Sequence, residues 1–434
     1  MSVRAATFRV DVTPPIGMAL CGGMLDPAAE IAQTLSMRGL VLDEDGQRRV
    51  IAAVDFCYIV GSSQTRIEEA LARGAGCGVD DVVIQSNHTH MGPLVAEDIH
   101  ATIARHRPEV QFHDEAWWSD LLARAESTVA EAIGKQSFAL GGVAVASHPV
   151  HEFASSRRVP DGAGGIHVRW SFCRTPHIKQ APVGVIDPAL DLILLSDDSG
   201  QARAALTFYA SHPQVGIIPG LVHGDSIGVA LRLFEAAHPG VELIHFDGCG
   251  GDITAGKYTS GPAEREVLVF GVKLYDAIHE AMVKARPQPV TDMEWRTERF
   301  DCPLAPVHCA ADHYRALLDA PETSGGSRYL YAHKLNRLEG DVQTYPFRLT
   351  HWRVNGHGAV FLPAELVVDY QLYAKAQYRG TLAVAAYGDS YLDYVGTDIM
   401  FEEGGYEVDP EWTEIGPGIE GHIKSALDRI LADR

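Results

Sequence analysis

The chain has 434 residues, 46% of them hydrophobic and 21% charged, the balance of an ordinary globular protein large enough to bury its own core. A formal net charge of -21 disfavours phosphate backbones and anionic lipid surfaces, so nucleic acid and stable membrane association are not expected. The N-terminus lacks the apolar core of a signal peptide, no run of about 18 apolar residues occurs, and seven cysteines without repeating spacing read as reduced thiols of a soluble, cytoplasmic protein.

A first strand is expected over 7–12, followed by a rigid loop at Thr13-Pro14-Pro15-Ile16-Gly17. Residues 39–42 and 49–55 read as a hairpin across Asp43-Glu44-Asp45-Gly46. A helix over 62–73 leads to the apolar run Val82, Val83, Ile84, which empties into Asn87-His88-Thr89-His90-Met91-Gly92-Pro93. Residues two apart on extended backbone share a face, so His88 and His90 can look into one site. Twenty histidines in this length give about one His-x-His pair by chance. The weight therefore rests on its place at a strand's carboxyl end, where open α/β sheets bind ligands.

Trp117, Leu121, Leu122, Ala125, Val129 and Ile133 recur at helical spacing within 114–134, and 138–147 alternates as a strand. Strands over 191–195 and 204–209 pair across Asp197-Asp198-Ser199-Gly200, and the second ends in His212-Pro213. Asp225 or Ser226 caps a helix over 226–237. A strand over 242–246 feeds the glycine-rich loop Asp247-Gly248-Cys249-Gly250-Gly251-Asp252-Ile253-Thr254, which matches neither GxGxxG nor GxxxxGK[ST] and competes with a plain tight turn. A long helix covers 264–284. Between 286 and 350 the pattern gives only a strand over 292–300, a helix over 311–318 and a polar segment over 323–328. Cys302, Cys309, His308 and His313 form the one other grouping with ligand chemistry, and no CxxC pair anchors it. A strand over 359–365 ends in the carboxylate of Pro363-Ala364-Glu365, a helix follows through Tyr378, and a strand over 382–387 opens into Tyr391-Leu392-Asp393-Tyr394. The acidic stretch 401–418 reads as a solvated face. Five strand exits thus carry His88, His212, Asp252 with Thr254, Glu365 and Tyr394, and one metal pocket would explain them all.

These ordered motifs, with Gly224-Asp225-Ser226-Ile227-Gly228 and Gly405-Tyr406-Glu407, resemble the catalytic domain of the neutral/alkaline, non-lysosomal ceramidases over most of the chain. The resemblance implies a zinc ion, one per chain, held by His88, His212, Glu365 and Tyr394, a donor set that suits Zn²⁺ and leaves a position for water. It implies His90 at the substrate carbonyl, and Arg158, with Arg157 as the competing match, and Tyr406 as polarising groups. Thr254 stands where the family has a serine, as nucleophile or water-positioning group. The family's C-terminal immunoglobulin-like domain has no counterpart here, which argues against ceramide itself.

The expected fold is α/β, mixed central β-sheets flanked by helices, as a single catalytic domain over 1–434 with 286–350 as a candidate inserted subregion. The expected function is zinc-dependent hydrolysis of an amide, or an ester or lactone, in a small soluble substrate. The rivals are a non-catalytic metal-containing binding or sensing protein and a two-metal phosphoesterase drawing on Asp247 and Asp252. The reading is compatible with a homo-oligomer.

Overall fold

The structure, a computed structural model, describes residues 3–110 and 112–432. Eight strands form one mixed sheet: β1 (Val3–Asp11), β2 (Ser36–Glu44), β3 (Gln47–Val54), β4 (Val82–Ser86), β5 (Phe138–Pro149), β6 (Ala189–Asp197), β7 (Ala202–Tyr209) and β8 (Glu242–Asp247). Their order across the sheet is β8-β7-β6-β5-β1-β2-β3-β4. The two outermost pairs, β3 with β4 and β7 with β8, are parallel, and the interior pairs are antiparallel. A second sheet has the order β9 (Met293–Pro303), β10 (Thr344–Val354), β11 (His357–Phe361), β12 (Leu382–Ala385), with β11 and β12 parallel.

Alternation along the strands stacks these sheets face to face. On β3, Ile51 and Ala53 point into a core shared with Phe208, Phe246, Trp352 and Phe361 of both sheets, while Val50, Ala52 and Val54 point the other way. That opposite face is covered by helices α1 (Ser62–Ala75) and α3 (Glu115–Lys135) at one end. At the other end it is covered by α4 (Asp225–Ala237) and α5 (Ala263–Lys284). Short helix α2 (Glu97–His106) lies beside α7 (Gly325–Glu339). The outer face of the second sheet packs on α6 (Ala311–Asp319), α7, α8 (Val368–Gln377) and α9 (Ile419–Leu431). The result is helices, sheet, sheet, helices. No helix among the described residues is long and apolar enough to cross a membrane.

The expected mixed sheets and flanking helices are present. Residues 286–350, nearly featureless in sequence, supply two of the four strands of the second sheet: β9 and β10 pair from Met293 with Val354 to Pro303 with Thr344. The polar segment 323–328 opens helix α7, capped by Ser324, whose hydroxyl accepts from the Ser327 amide. The α3 boundary follows expectation, with the Asp114 carboxylate accepting from the Trp117 amide. The 225–237 helix differs: Gly224 takes the cap position, and Asp225 sits inside at φ 49°.

Two histidines away from the strand exits contribute to how this fold responds to acid. His100 and His245 are fully enclosed, and burial holds each imidazole down at about 3. A folded-state pKa below the unfolded value means that stability is fully present above about pH 6.5 and is lost as pH falls toward 3, about 2 kcal/mol per such histidine at pH 5. Unfolding in denaturant at pH 7.5 and at pH 5.0 should show this loss, and His100→Leu should narrow the difference by about 2 kcal/mol. An unchanged difference in that variant would contradict the assignment.

Candidate metal centre

Parallel pairing sends strand exits the same way. The β4 exit hydrogen-bonds to the β12 exit through Ser86 N–H and Tyr387 O at 2.8 Å, and Ala386 N–H reaches Asp247 O, at the end of β8, at 2.9 Å. Beyond β11 and β12 the chain pairs again in parallel, placing Glu365 directly beside Tyr394. The turns that deliver these residues are tight. His88, Ala364, Tyr387 and Asp393 all adopt left-handed backbone, with φ of 50°, 62°, 63° and 51°.

Three imidazoles converge there. The ring of His88 is 4.6 Å from that of His90 and 4.8 Å from that of His212, and the latter two are 5.0 Å apart. One ring nitrogen from each lies within 4.8 Å of the others. Glu365 Oε1 approaches His88 Nε2 at 3.5 Å and His212 Nδ1 at 3.4 Å. The Tyr58 hydroxyl donates to Glu365 Oε2, and Tyr387 Oη lies 3.5 Å from Oε1. The rings of Tyr58 and Tyr387 both stack on the His88 imidazole, with centroids 4.9 and 4.5 Å away. His88 Nδ1, 3.1 Å from the Cys57 carbonyl, is its N–H donor, which leaves the Nε2 lone pair facing the cluster.

The electrostatics follow from burial. Burial pushes the Glu365 carboxyl up to about 8, against the pull of Arg157 and the hydroxyls of Tyr58 and Tyr394. Burial likewise holds His88 and His212 well below the usual imidazole range and His90 at about 4, with Arg157 adding to each. The histidines are therefore neutral, the state a cation requires of them. His88 Nε2 and His90 Nδ1 are buried without a hydrogen-bond partner. Neutral imidazoles with orphaned lone pairs around a buried carboxyl fit a borderline cation such as Zn²⁺.

Arg157, not Arg158, enters this cluster. Neighbouring residues on extended backbone point opposite ways. Arg157 Nη1 donates to Tyr394 Oη at 3.1 Å, and Nη2 lies 3.1 and 3.3 Å from the two His212 nitrogens. Burial works against its charge, but Tyr394, Glu407 and Glu365 outweigh that and hold it protonated. Arg158 turns away to Glu407 at 2.8 Å, Glu403 at 2.9 Å and the Gly404 carbonyl at 2.7 Å. Of the two arginines expected as alternatives, the structure brings Arg157 to the histidines and turns Arg158 to the acidic segment. The buried Thr254 hydroxyl accepts from the Gly256 amide at 3.1 Å, and Thr254, like Arg157, His212 and Glu365, is not among the residues lining the cavity at the histidines. Tyr406 does line that cavity, its ring 5.3 Å from Tyr394 and 5.1 Å from Trp412.

The glycine loop is a packing device. A Cβ on Gly250 would collide with the Ser211 carbonyl, and one on Gly251 would meet the Glu365 carbonyl at 2.9 Å, so backbone fills the space a phosphate would need. Asp247 Oδ1 accepts from Ser211 at 2.7 Å while its Oδ2 is buried without a partner, and Asp252 accepts from the Val368 amide at 2.8 Å. The stretch 401–418 is solvated at Glu402, Asp409 and Glu411 but not throughout: Glu407 and Glu414 are each 1% exposed, the latter neutralised by Lys334 and Arg337. Cys302 is buried, and His308 and His313 line a different space. Tyr58, Tyr387 and Trp412 were not singled out in the sequence, although Tyr58 and Tyr387 follow strands just as His88 does.

The cavity at the histidines holds about 40 Å³ and is lined by Cys21, Cys57, Tyr58, Tyr394, Tyr406 and Trp412 among others. A chamber of about 710 Å³ lies against it, with Leu330 in the lining of both and Trp412 between the chamber residues Glu411 and Thr413. Pro303, Leu304, Tyr314, Phe401 and Ile419 make its wall largely apolar. Two further groups of three ligand-capable atoms occur among the described residues, Glu97-His113-Glu115 and His333-Asp393-Glu414. Arg66 pairs with Glu97, while Lys334 and Arg337 hold Glu414.

No protein-family model and no curated protein matches this chain. Solved structures do. A neutral ceramidase from Pseudomonas aeruginosa superposes with a TM-score of 0.73 at 14% identity, covering 100% of this chain and 74% of that one. A ceramidase complexed with C2 gives 0.70 at 15% identity, covering 98% and 74%. At that identity the likeness is one of architecture: this chain carries the mixed α/β fold of the neutral ceramidases along essentially its whole length.

Proposed function

We propose that this protein is a zinc-dependent hydrolase that cleaves an amide, or an ester or lactone, in a small substrate. The observation that carries the reading is the buried cluster of His88, His90, His212 and Glu365, with two orphaned ring nitrogens, in a fold shared with ceramidases. His88, His212, Glu365 and Tyr394 would hold the ion, with His90 Nδ1 close enough to compete for a place. Zinc in such a site supplies a Lewis acid for the scissile carbonyl and brings the pKa of a water to roughly 7.

The chain's own groups supply the rest. Arg157 is fixed by Tyr394 and His212 and remains charged, so its guanidinium offers donors to a carbonyl oxygen that gains negative charge. His90 keeps an unpartnered Nδ1 at the site and can hold or pass a proton at the scissile bond. Tyr406 and Trp412 close the small cavity, which admits the reacting group and little bulk water. Thr254 shapes the turn whose Asp252 carbonyl accepts from the Arg157 amide at 2.6 Å. It acts through the position of Arg157.

Elemental analysis of the purified protein should find about one zinc per chain, lost from folded His88→Ala, His212→Ala and Glu365→Ala variants. A wild type that is metal-free and cannot be reconstituted would sink the proposal. Against N-acyl amides, esters and lactones, turnover should vanish on chelation, return with Zn²⁺ and be absent from His88→Ala. Binding without turnover by the zinc-loaded protein would favour the sensing alternative. Once a substrate is in hand, Arg157→Met should lower kcat by about 10²–10³. Arg158→Met should leave kcat within a few-fold and loosen residues 403–408 in amide exchange. Equal losses in kcat would refute the division of labour between the two arginines.

A further inference from the structure

The proposed mechanism leaves two buried thiols unused. Cys21 and Cys57 stand 36 positions apart in sequence, yet their Sγ atoms are 3.3 Å apart. Both are free, and they are 1% and 2% exposed.

Their backbones clasp the histidine loop. The Cys21 amide donates to Gly92 O at 2.9 Å and the Cys57 amide to Pro93 O at 2.7 Å. The Cys57 carbonyl accepts from His88 Nδ1 at 3.1 Å, and Cys57 Sγ is 4.0 Å from the same nitrogen. Cys21 is itself held at φ 47°, in a turn continued by Gly22 at 62° and Gly23 at 80°, so its backbone has little freedom to yield. Both cysteines also line the small cavity at the histidines. Its volume of about 40 Å³ is close to that of one water in the liquid, about 30 Å³. Hydrogen peroxide fits that space, and a tripeptide disulfide such as oxidised glutathione does not.

We propose that Cys21 and Cys57 are a peroxide-sensitive modification site, a dithiol that closes to a disulfide and, through the Cys57 carbonyl and the Gly92-Pro93 turn, disarms His88. One thiol attacks the peroxide O–O bond, giving a sulfenic acid and releasing water. The second thiol then attacks the sulfenic sulfur, forming the S–S bond and releasing another water. Two thiols are oxidised by two electrons in all, and one peroxide is reduced to two waters. To reach a bond of about 2.05 Å the sulfurs must close by more than 1 Å, and with the Cys21 turn held, the movement falls on Cys57, whose backbone carries the hydrogen bonds to Pro93 and His88. A displacement of about 1 Å at a reacting group can cost about 10² in rate. The pair's chemistry stands independently, whereas its effect on turnover rests on the hydrolase reading.

The full-length reduced protein is treated with millimolar hydrogen peroxide over hours, a regime suited to buried thiols. Intact mass should fall by about 2 Da per chain, non-reducing digestion should link the peptides containing Cys21 and Cys57, and a reductant should reverse both. Cys21→Ser should form no such link. Amide exchange of residues 86–95 should change in the oxidised wild type and stay constant in peroxide-treated Cys21→Ser. Retention of all seven thiols in the wild type, or a link between other cysteines, would overturn the proposal. So would equal reactivity toward oxidised glutathione. With a substrate available, turnover should drop about 10²-fold on oxidation and recover on reduction. A disulfide that leaves both exchange and turnover unaltered would overturn the link to His88. Absence of turnover from the reduced, zinc-loaded protein would count against the hydrolase reading alone, since mass and exchange still decide the redox site.

Discussion

Glu365 is the group around which the rest is arranged. Its carboxyl has no solvent exposure, and a carboxylate taken from water costs several kcal/mol unless charge or hydrogen bonds replace the lost hydration. The replacement comes from four separate segments: the hydroxyls of Tyr58 and Tyr387, the guanidinium of Arg157 and the ring of His212. Even so, burial leaves the carboxyl pushed up to about 8. A residue this costly to enclose fixes the path of each segment that meets it. That explains why left-handed backbone gathers at His88, Ala364, Tyr387 and Asp393, each a step or less from a residue aimed at the cluster.

The two-sheet architecture is what allows so many segments to meet. In an antiparallel hairpin, successive exits fall at opposite ends of the sheet. Parallel pairs deliver theirs to the same end. This chain sets parallel pairs at both margins of the large sheet and another in the small one, then stacks the sheets on a core including Phe208, Phe246 and Phe361. The glycines of 248–251 let the β8 exit pass within contact of Ser211 and Glu365 without side chains in the way. The close approach that suggests a phosphate loop in sequence serves protein against protein.

What could be read without coordinates divides along physical lines. Apolar runs ending in a polar residue marked the exits carrying His88, His212, Glu365 and Tyr394, because burial of a strand and its emergence at a site both leave a compositional edge. The second sheet was harder: β9 and β10 contain arginines and glutamates that pair with one another, Arg296 and Arg353 with Glu294, so their alternation is blurred. Charge misled twice for one reason. Arg157 and Arg158 are adjacent and identical, and only the facing of the strand separates the buried one from its neighbour. The acidic run 401–418 reads in sequence as solvent-facing, yet within it Glu407 and Glu414 are buried because cations distant in sequence, Arg158, Lys334 and Arg337, come to meet them.

Those same pairings determine what charge the site can bring to bear. A guanidinium is unfavourable beside a dication, and Arg157 sits within hydrogen-bond reach of His212 and Tyr394. Glu407 is shared between Arg157 and Arg158, and Glu403 meets Arg158 at the rim. The arginines are thus nearly matched before any ion arrives. The neutral histidines add donor atoms without adding counter-charge. A dication held by such a set would keep most of its charge unspent, in a cavity too small for much screening water. Charge left over in a dry site falls on whatever oxygen becomes negative there, which is the condition electrostatic catalysis of acyl transfer requires.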